Sequence, residues 1–403
     1  MLALDWDRRK PNYDFLIIGS GYGGAITAAR IAGADLDPKP AVCILERGRE
    51  WPIGAFPDTQ LGAIAALRSN ANPLGLYELL VYRDISVIKG SGLGGTSLIN
   101  ANVAIVPDRE VFEQAGWPSL GYDRLLPYYQ RARQVLDAGP HPRAHELPKV
   151  QALERRAAQI GARVGALDLA VNFTIDGPNP YGVPQKPCTD CGDCVTGCNV
   201  GAKNTLYMNY LPMARRAGAD IFTQTKVEWI EKLPGGGWRV HGRRYDDQHP
   251  GGEKFTLEAA HVVLAAGSIN STEILLRSQM HGLSLSPAIG TGFGGNGDFF
   301  GLAHNGDFPT QVLGFGNHPN SPGAAHPPGP TIVGVIRYHA DRPVGERITI
   351  QDLSFPNAGV DLCRAVFAAL RGEDSDTGDE AAEEQRRRRD MFPLVPHDPG
   401  GAL

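Results

Sequence analysis

The chain has 403 residues, a net charge of −5, 42% hydrophobic residues and 50 glycines. That length is enough for two packed domains with sizeable cores. The mildly acidic balance excludes the basic face that nucleic-acid binding needs, and no apolar run approaches the ~18 residues of a membrane span. The opening MLALDWDRRKPN lacks the series of charged, apolar and cleavage regions of a signal peptide, so a cytoplasmic location is expected.

An apolar strand over 15–18 runs into Gly19-Ser20-Gly21-Tyr22-Gly23-Gly24, an alanine-rich helix pattern covers 25–32, and a second strand over 41–45 ends on Glu46. This is a G-x-G-x-x-G turn in the strand-turn-helix-strand setting that dinucleotide binding requires. Gly19 permits the tight turn, Gly21 lets backbone approach a pyrophosphate, and Gly24 lets helix pack close on strand. Glu46 is placed to accept hydrogen bonds from a ribose diol. The turn does not separate NAD from FAD.

Residues 52–84 are mixed, with a helix pattern near 61–67. A strand over 85–88 then enters a second glycine loop, Gly90-Ser91-Gly92-Leu93-Gly94-Gly95-Thr96-Ser97, with Asn100 beyond it. Helical patterns follow at 111–114, 122–136 and 150–164. A proline- and glycine-rich stretch, 177–187, leads to four cysteines. A helix is expected over 204–217 and strands over 219–230 and 237–243. A buried strand over 261–266 meets Gly267-Ser268 and a helix over 271–278, another strand-glycine-helix unit suited to a parallel sheet. Strands return at 331–338 and 347–351. The charged tail 372–390, with Arg386-Arg387-Arg388-Arg389, reads as a solvated helix end or a disordered stretch.

Four ordered blocks, 13–32 with LERG at 45–48, GSGLGGTSLINANVAIVP at 90–107, 262–278 and 289–299, together with NTLYMNYLPMARRAGA at 204–219, resemble the glucose-methanol-choline oxidoreductase family, in its bacterial cholesterol oxidase-like branch. The resemblance implies an α/β fold: a Rossmann-like FAD-binding domain (11–107 with a lid-like 52–84, and 204–300) and a discontinuous α+β substrate-binding domain (108–203 and 301–403). It implies FAD, held by Gly19, Gly21, Gly24 and Glu46, by the loop carrying Gly92, Gly94, Gly95, Thr96, Ser97 and Asn100, by the Val227 backbone at adenine, and by Gly267 and Ser268. It implies hydride transfer from the CH–OH group of a small-molecule alcohol, such as a sterol, to flavin. The electron acceptor is left open.

The family's base, a histidine paired with His or Asn in a C-terminal region, has no counterpart in the sequence. Relatives continue beyond the point where this sequence stops, so a truncated, non-catalytic flavin-binding fragment is an alternative expectation. His304, His318 and His326 carry no base motif, and His397-Asp398 only superficially matches one. Where steroid-oxidising relatives carry Glu, the block ITIQDLSFP has Gln351, followed by Asp352. These two are the weak catalytic candidates.

Cys188-x2-Cys191-x2-Cys194-x3-Cys198 has the ferredoxin-type spacing, with Asn199 in place of the usual proline. An iron–sulfur cluster, zinc, and unmetallated thiols or disulfides are the alternatives; a cytosolic setting disfavours disulfides. Cys43 and Cys363 are not obvious further ligands. With a cluster, the chain would be an FAD/iron–sulfur alcohol dehydrogenase that passes electrons to a carrier.

Overall fold

The computed structural model describes residues 1–295, 297–301, 306–318 and 322–362. His304, Cys363, His397, Asp398 and the segment 372–390 lie outside the described residues. Residues up to Val360 form one compact unit, and a second begins at Asp361.

The elements used below are β1 (Asn12–Ile18), α1 (Tyr22–Ala32), β2 (Val42–Leu45), β3 (Tyr77–Val81), β4 (Ser86–Gly90), α2 (Pro148–Gln159), β5 (Val164–Ala166), α3 (Tyr210–Arg216), β6 (Asp220–Phe222), β7 (Thr225–Lys232), β8 (Trp238–Arg244), β9 (Glu253–Leu264), α4 (Ser268–Met280), β10 (Gly334–Tyr338) and β11 (Ile348–Gln351). Six strands form the main sheet in the order β6-β2-β1-β9-β8-β7. Strands β6, β2, β1 and β9 run parallel. Leu16, Ile17, Cys43 and Ile44 are fully buried, as expected of parallel strands covered on both faces. On one face α1 and α3 pack through Ala25, Ala28, Leu211 and Ala214. The other face carries Trp6, Phe222, Val240 and Ile274 of α4. Small alanines on α1 set the close helix–sheet distance, and at Gly24 even a Cβ would lie 1.9 Å from the Gly19 carbonyl oxygen.

Strand β9 is longer than the 261–266 expected. Its first part pairs antiparallel with β8 and its last part parallel with β1, so one strand joins a hairpin to the parallel core. The strand expected over 85–88 is β4, which pairs antiparallel with β3 in a hairpin. Two other expectations are revised. The helix expected over 150–164 starts earlier and stops at Gln159; Gly161, at φ +67°, turns the chain and β5 follows. The helix expected over 204–217 is broken at Asn209, whose backbone is non-helical and whose side chain accepts from the Tyr210 N–H at 2.7 Å.

Strands β11, β10 and β5 form a separate antiparallel sheet. Its link to α2 is an ion pair: Lys149 Nζ lies 2.9 Å from Asp352 Oδ2, both side chains being at most 4% exposed. Lys149 also donates to the Thr331 carbonyl (3.1 Å) and Ser354 Oγ (2.8 Å). Asp352 Oδ1 accepts from the Val333 and Gly334 N–H groups. Burial pulls the Lys149 ammonium below its ordinary range, and Asp352 opposes that shift. Asp352→Asn strands a buried cation and is expected to cost about 3–5 kcal/mol in equilibrium denaturation; adding Lys149→Met should recover part of it. Equal stability of Asp352→Asn and the parent would refute this role.

Candidate dinucleotide-binding site

A cavity of about 430 Å3 opens where β1 and β9 end and α1 and α4 begin. Gly19 (φ +98°) makes the first turn; its N–H donates to the Leu45 carbonyl at 2.8 Å, and a Cβ there would lie 2.4 Å from the Ala265 oxygen. Gly21 caps α1 without any side-chain hydrogen bond, and a Cβ on it would meet nothing within 4 Å. Gly267 (φ +83°) caps α4, again without a side-chain bond. A helix start leaves N–H groups unpaired, and Ser, Asp or Asn usually fill them. Glycine at both caps leaves two positive helix ends bordering one cavity, an arrangement suited to phosphate.

Glu46 is 6% exposed. Its Oε2 accepts from Ser20 N–H (3.0 Å) and Ser20 Oγ–H (2.5 Å), and its Oε1 from Gly48 N–H (2.8 Å). A carboxylate has about four acceptor sites, so Oε1 retains one for a hydroxyl. Ser20 Oγ in turn accepts from the Gly94 N–H at 2.9 Å, tying the second glycine loop to the first. A Cβ on Gly95 would lie 2.9 Å from the Gly21 Cα.

Gly19, Gly21, Glu46, Gly95, Thr96, Val227, Gly267 and Ser268 line the cavity. Gly24, Gly92, Gly94 and Ser97 stand behind that lining. Gly92 packs under the Trp51 ring, and Ser97 Oγ donates to the Gly94 carbonyl while accepting from the Leu206 N–H. Asn100 donates to the hydroxyl of Tyr22, which does line the cavity. Sequence reasoning missed Arg47, Lys89, Lys226 and Arg277 on the wall; scattered single cations carry no motif. The donor set fits an ADP-containing dinucleotide.

Two of those cations are fixed by Glu78, a buried carboxylate on β3. Arg47 (2.5 Å), Arg68 (2.6 Å) and Lys89 (3.1 Å) converge on it, and Lys89 also donates to Asn270 Oδ1 of α4 at 2.6 Å. Burial alone would raise the Glu78 pKa, but hydrogen bonding and charge from Arg47, with Lys89 and Arg68, hold it at about 2 against an ordinary 4.5.

Gln351 sits on β11 opposite Val335, and Asp352 is committed to Lys149. Neither lines the cavity, and no histidine among the described residues does. His318 lies 3.5 Å from Asp58, and His326 stands in an irregular segment. Cys188, Cys191, Cys194 and Cys198 are free thiols bordering a separate small cleft. Among the described residues, no three His, Cys, Asp or Glu side chains are gathered to hold a single metal ion. No described helix is long and apolar enough to cross a membrane.

The depressed Glu78 pKa means the folded chain binds that proton less tightly than the unfolded chain. Its contribution, about 3 kcal/mol for ~2.5 pH units, is therefore complete above pH ~4.5 and lost as pH falls towards 2. The stability gap between the parent and Glu78→Gln, from urea denaturation at stepped pH, should close over that window. A gap independent of pH would contradict the assignment.

The family model of the GMC oxidoreductases matches residues 13–294, which contain every turn of the cavity. Cholesterol oxidase of Mycobacterium tuberculosis is 31% identical over 288 residues, covering 68% of this chain and 49% of that protein. Cholesterol oxidase of Acinetobacter baumannii is 27% identical, covering 67% and 51%. Glucose dehydrogenase [FAD, quinone] of Drosophila melanogaster is also 27% identical, covering 67% and 44%. A solved fungal aryl-alcohol oxidase aligns with a TM-score of 0.44 at 15% identity, covering 67% of this chain and 48% of that one. The chain spans about half the length of the curated relatives it matches. With the matched region running from the first glycine turn through α4, the chain belongs to the GMC oxidoreductase family.

Proposed function

We propose that the chain holds FAD in this cavity, as part of an oxidoreductase acting on the CH–OH group of an alcohol, sterols being the favoured substrate class. The observation that carries the cofactor is the meeting of two uncapped helix starts with a buried carboxylate that keeps one acceptor site. The N–H groups at the starts of α1 and α4 would take the pyrophosphate, Glu46 Oε1 a ribose hydroxyl, and the β7 backbone at Val227 the adenine. Arg47, Lys89, Lys226 and Arg277 offset the phosphate charge. Bound FAD would supply the chemistry, accepting a hydride from the alcohol carbon. Similarity to two cholesterol oxidases over two thirds of the chain supports the substrate class. Five free cysteines among the described residues support a reducing, cytoplasmic setting.

A second reading concerns the electron acceptor. The name of the Drosophila relative pairs FAD with a quinone, and a carrier of that kind is the acceptor this reading favours.

The purified chain, reconstituted with FAD, is expected to hold about one flavin, and cholesterol added anaerobically is expected to bleach its visible band. Failure to retain any flavin overturns the proposal. Retained flavin that no alcohol bleaches overturns the catalytic half and leaves a flavin-holding fragment.

Two glycine variants test the cavity itself. Gly21→Ala points its methyl into open space, so flavin-free stability should stay within about 0.5 kcal/mol while FAD affinity falls at least about tenfold. Gly24→Ala drives a methyl into the Gly19 carbonyl and should destabilise the flavin-free chain by more than about 2 kcal/mol. Unchanged FAD affinity in Gly21→Ala would place the pyrophosphate elsewhere.

A further inference from the structure

The dinucleotide cavity runs well past the two helix starts. Glu273, Ile274 and Arg277 of α4 line it, as do Gly267 and Ser268. Arg277 stands on the third turn of α4, so at ~1.5 Å of rise per residue the lining extends about 14 Å along the helix. The field of a helix start falls off within its first turn. A pyrophosphate held at Gly267 therefore leaves the third turn to another part of the ligand.

The facing wall identifies that part. Thr225, Lys226 and Val227 of β7 all line the cavity. Successive strand residues point to opposite faces, so three in a row present their backbone to it. The ladder with β8 slips between Val227 and Trp229, a bulge of the kind that re-aims side chains beside sites. The extra residue, Glu228, pairs with Arg243 at 3.2 Å. Ser278 Oγ accepts from the Ile230 N–H at 2.9 Å, which pins α4 to β7 one residue after Arg277. At the other end of this wall the Thr225 N–H donates to the Glu46 carbonyl at 2.8 Å. With a ribose hydroxyl on Glu46, the base of that nucleoside lies between the start of β7 and Arg277.

Two cations border this end. The Arg277 guanidinium pairs with Glu273, one turn earlier on α4. That bond lies along the guanidinium N–H directions, so it fixes the group without using the faces of its plane. Among the described residues, the Lys226 ammonium forms no ion pair or hydrogen bond. Burial, and then the charge of Arg277, pull Lys226 below its ordinary pKa range, which marks the two cations as neighbours. An occupant that suits both offers an aromatic face to the guanidinium and an acceptor atom to the ammonium. Adenine, with its ring nitrogens, has both. A phosphate on the ribose would instead meet the Glu46 carboxylate.

We propose that Arg277 stacks on the adenine of the bound dinucleotide and Lys226 donates to its ring, with Glu273 as the positioning residue that aims Arg277. The three side chains make the cavity select an adenine dinucleotide over a flavin mononucleotide. Helix starts cannot supply that selection, because their N–H groups recognise phosphate. The assignment rests on the flavin reading for the ribose at Glu46.

The test is calorimetric titration of the 403-residue chain with FAD, ADP and FMN. Arg277→Met should bind FAD and ADP about fivefold to tenfold more weakly than the parent. Its affinity for FMN, which lacks the adenosine half, should match the parent. Arg277→Lys keeps the charge but not the plane, and it should lose nearly as much as Arg277→Met at low and high ionic strength alike. Lys226→Met should weaken ADP binding by a similar factor, and Glu273→Gln by about threefold. The Arg277 and Glu273 side chains are 37% and 50% exposed, so circular dichroism and the urea midpoint should stay at parent values. Parent affinity for ADP in Arg277→Lys, or an equal loss of FMN and FAD affinity in Arg277→Met, would overturn the proposal and leave the flavin reading standing. A parent chain that binds neither FAD nor ADP overturns both.

Discussion

One buried carboxylate organises the carboxyl edge of the main sheet. Glu46 collects three hydrogen bonds through its side chain, from Ser20 and Gly48. Its backbone N–H donates to the Phe222 carbonyl, and its own carbonyl accepts from Thr225. It therefore joins β2 to the first glycine turn and to the segment between β6 and β7. Through Ser20 it reaches the second glycine loop at Gly94. A carboxylate this deep is tolerable only when it is well hydrogen-bonded, so the requirement that stabilises Glu46 also positions the loops around the cavity. The acceptor site left open is the feature that turns a structural hub into a recognition element.

A second constraint is charge. The chain is acidic overall, but the cavity wall carries Arg47, Lys89, Lys226 and Arg277. Glu78 holds two of these in place and, with Arg68, forms a cluster in which three cations face one anion. Glu46 and Glu273 also line the cavity, and Arg277 pairs with Glu273, so the wall holds four cations against two carboxylates.

The legible parts of the sequence were those whose physics is local. Gly19, Gly21 and Gly24 announce a turn because spacing, backbone conformation and close approach act over six residues. Gly267 announces the second helix start in the same way. The 85–88 strand was legible, but its hairpin partner β3 was not, because β3 contains Glu78, a charge that looks wrong for a buried strand until Arg47, Arg68 and Lys89 are seen around it. Asp352 invited a catalytic reading because its partner, Lys149, lies far off in the chain on α2. The cysteine spacing was visible at once, whereas the convergence of all four thiols on one cleft was not, because positive-φ glycines and distant contacts with the Phe56 and Ile53 side chains and the Gly314 backbone set that path.

The sequence by itself determined the turn chemistry: which glycines bend the backbone, which helices start without caps, and which acid ends the second strand. Each is settled by sterics and hydrogen bonding among neighbours in the chain. Only the tertiary structure decided which charges became paired, which predicted residues face the cavity rather than brace it from behind, and which strands share a sheet. Those outcomes depend on register and packing between segments tens to hundreds of residues apart, and the free energy that selects them exists only once the segments are in contact.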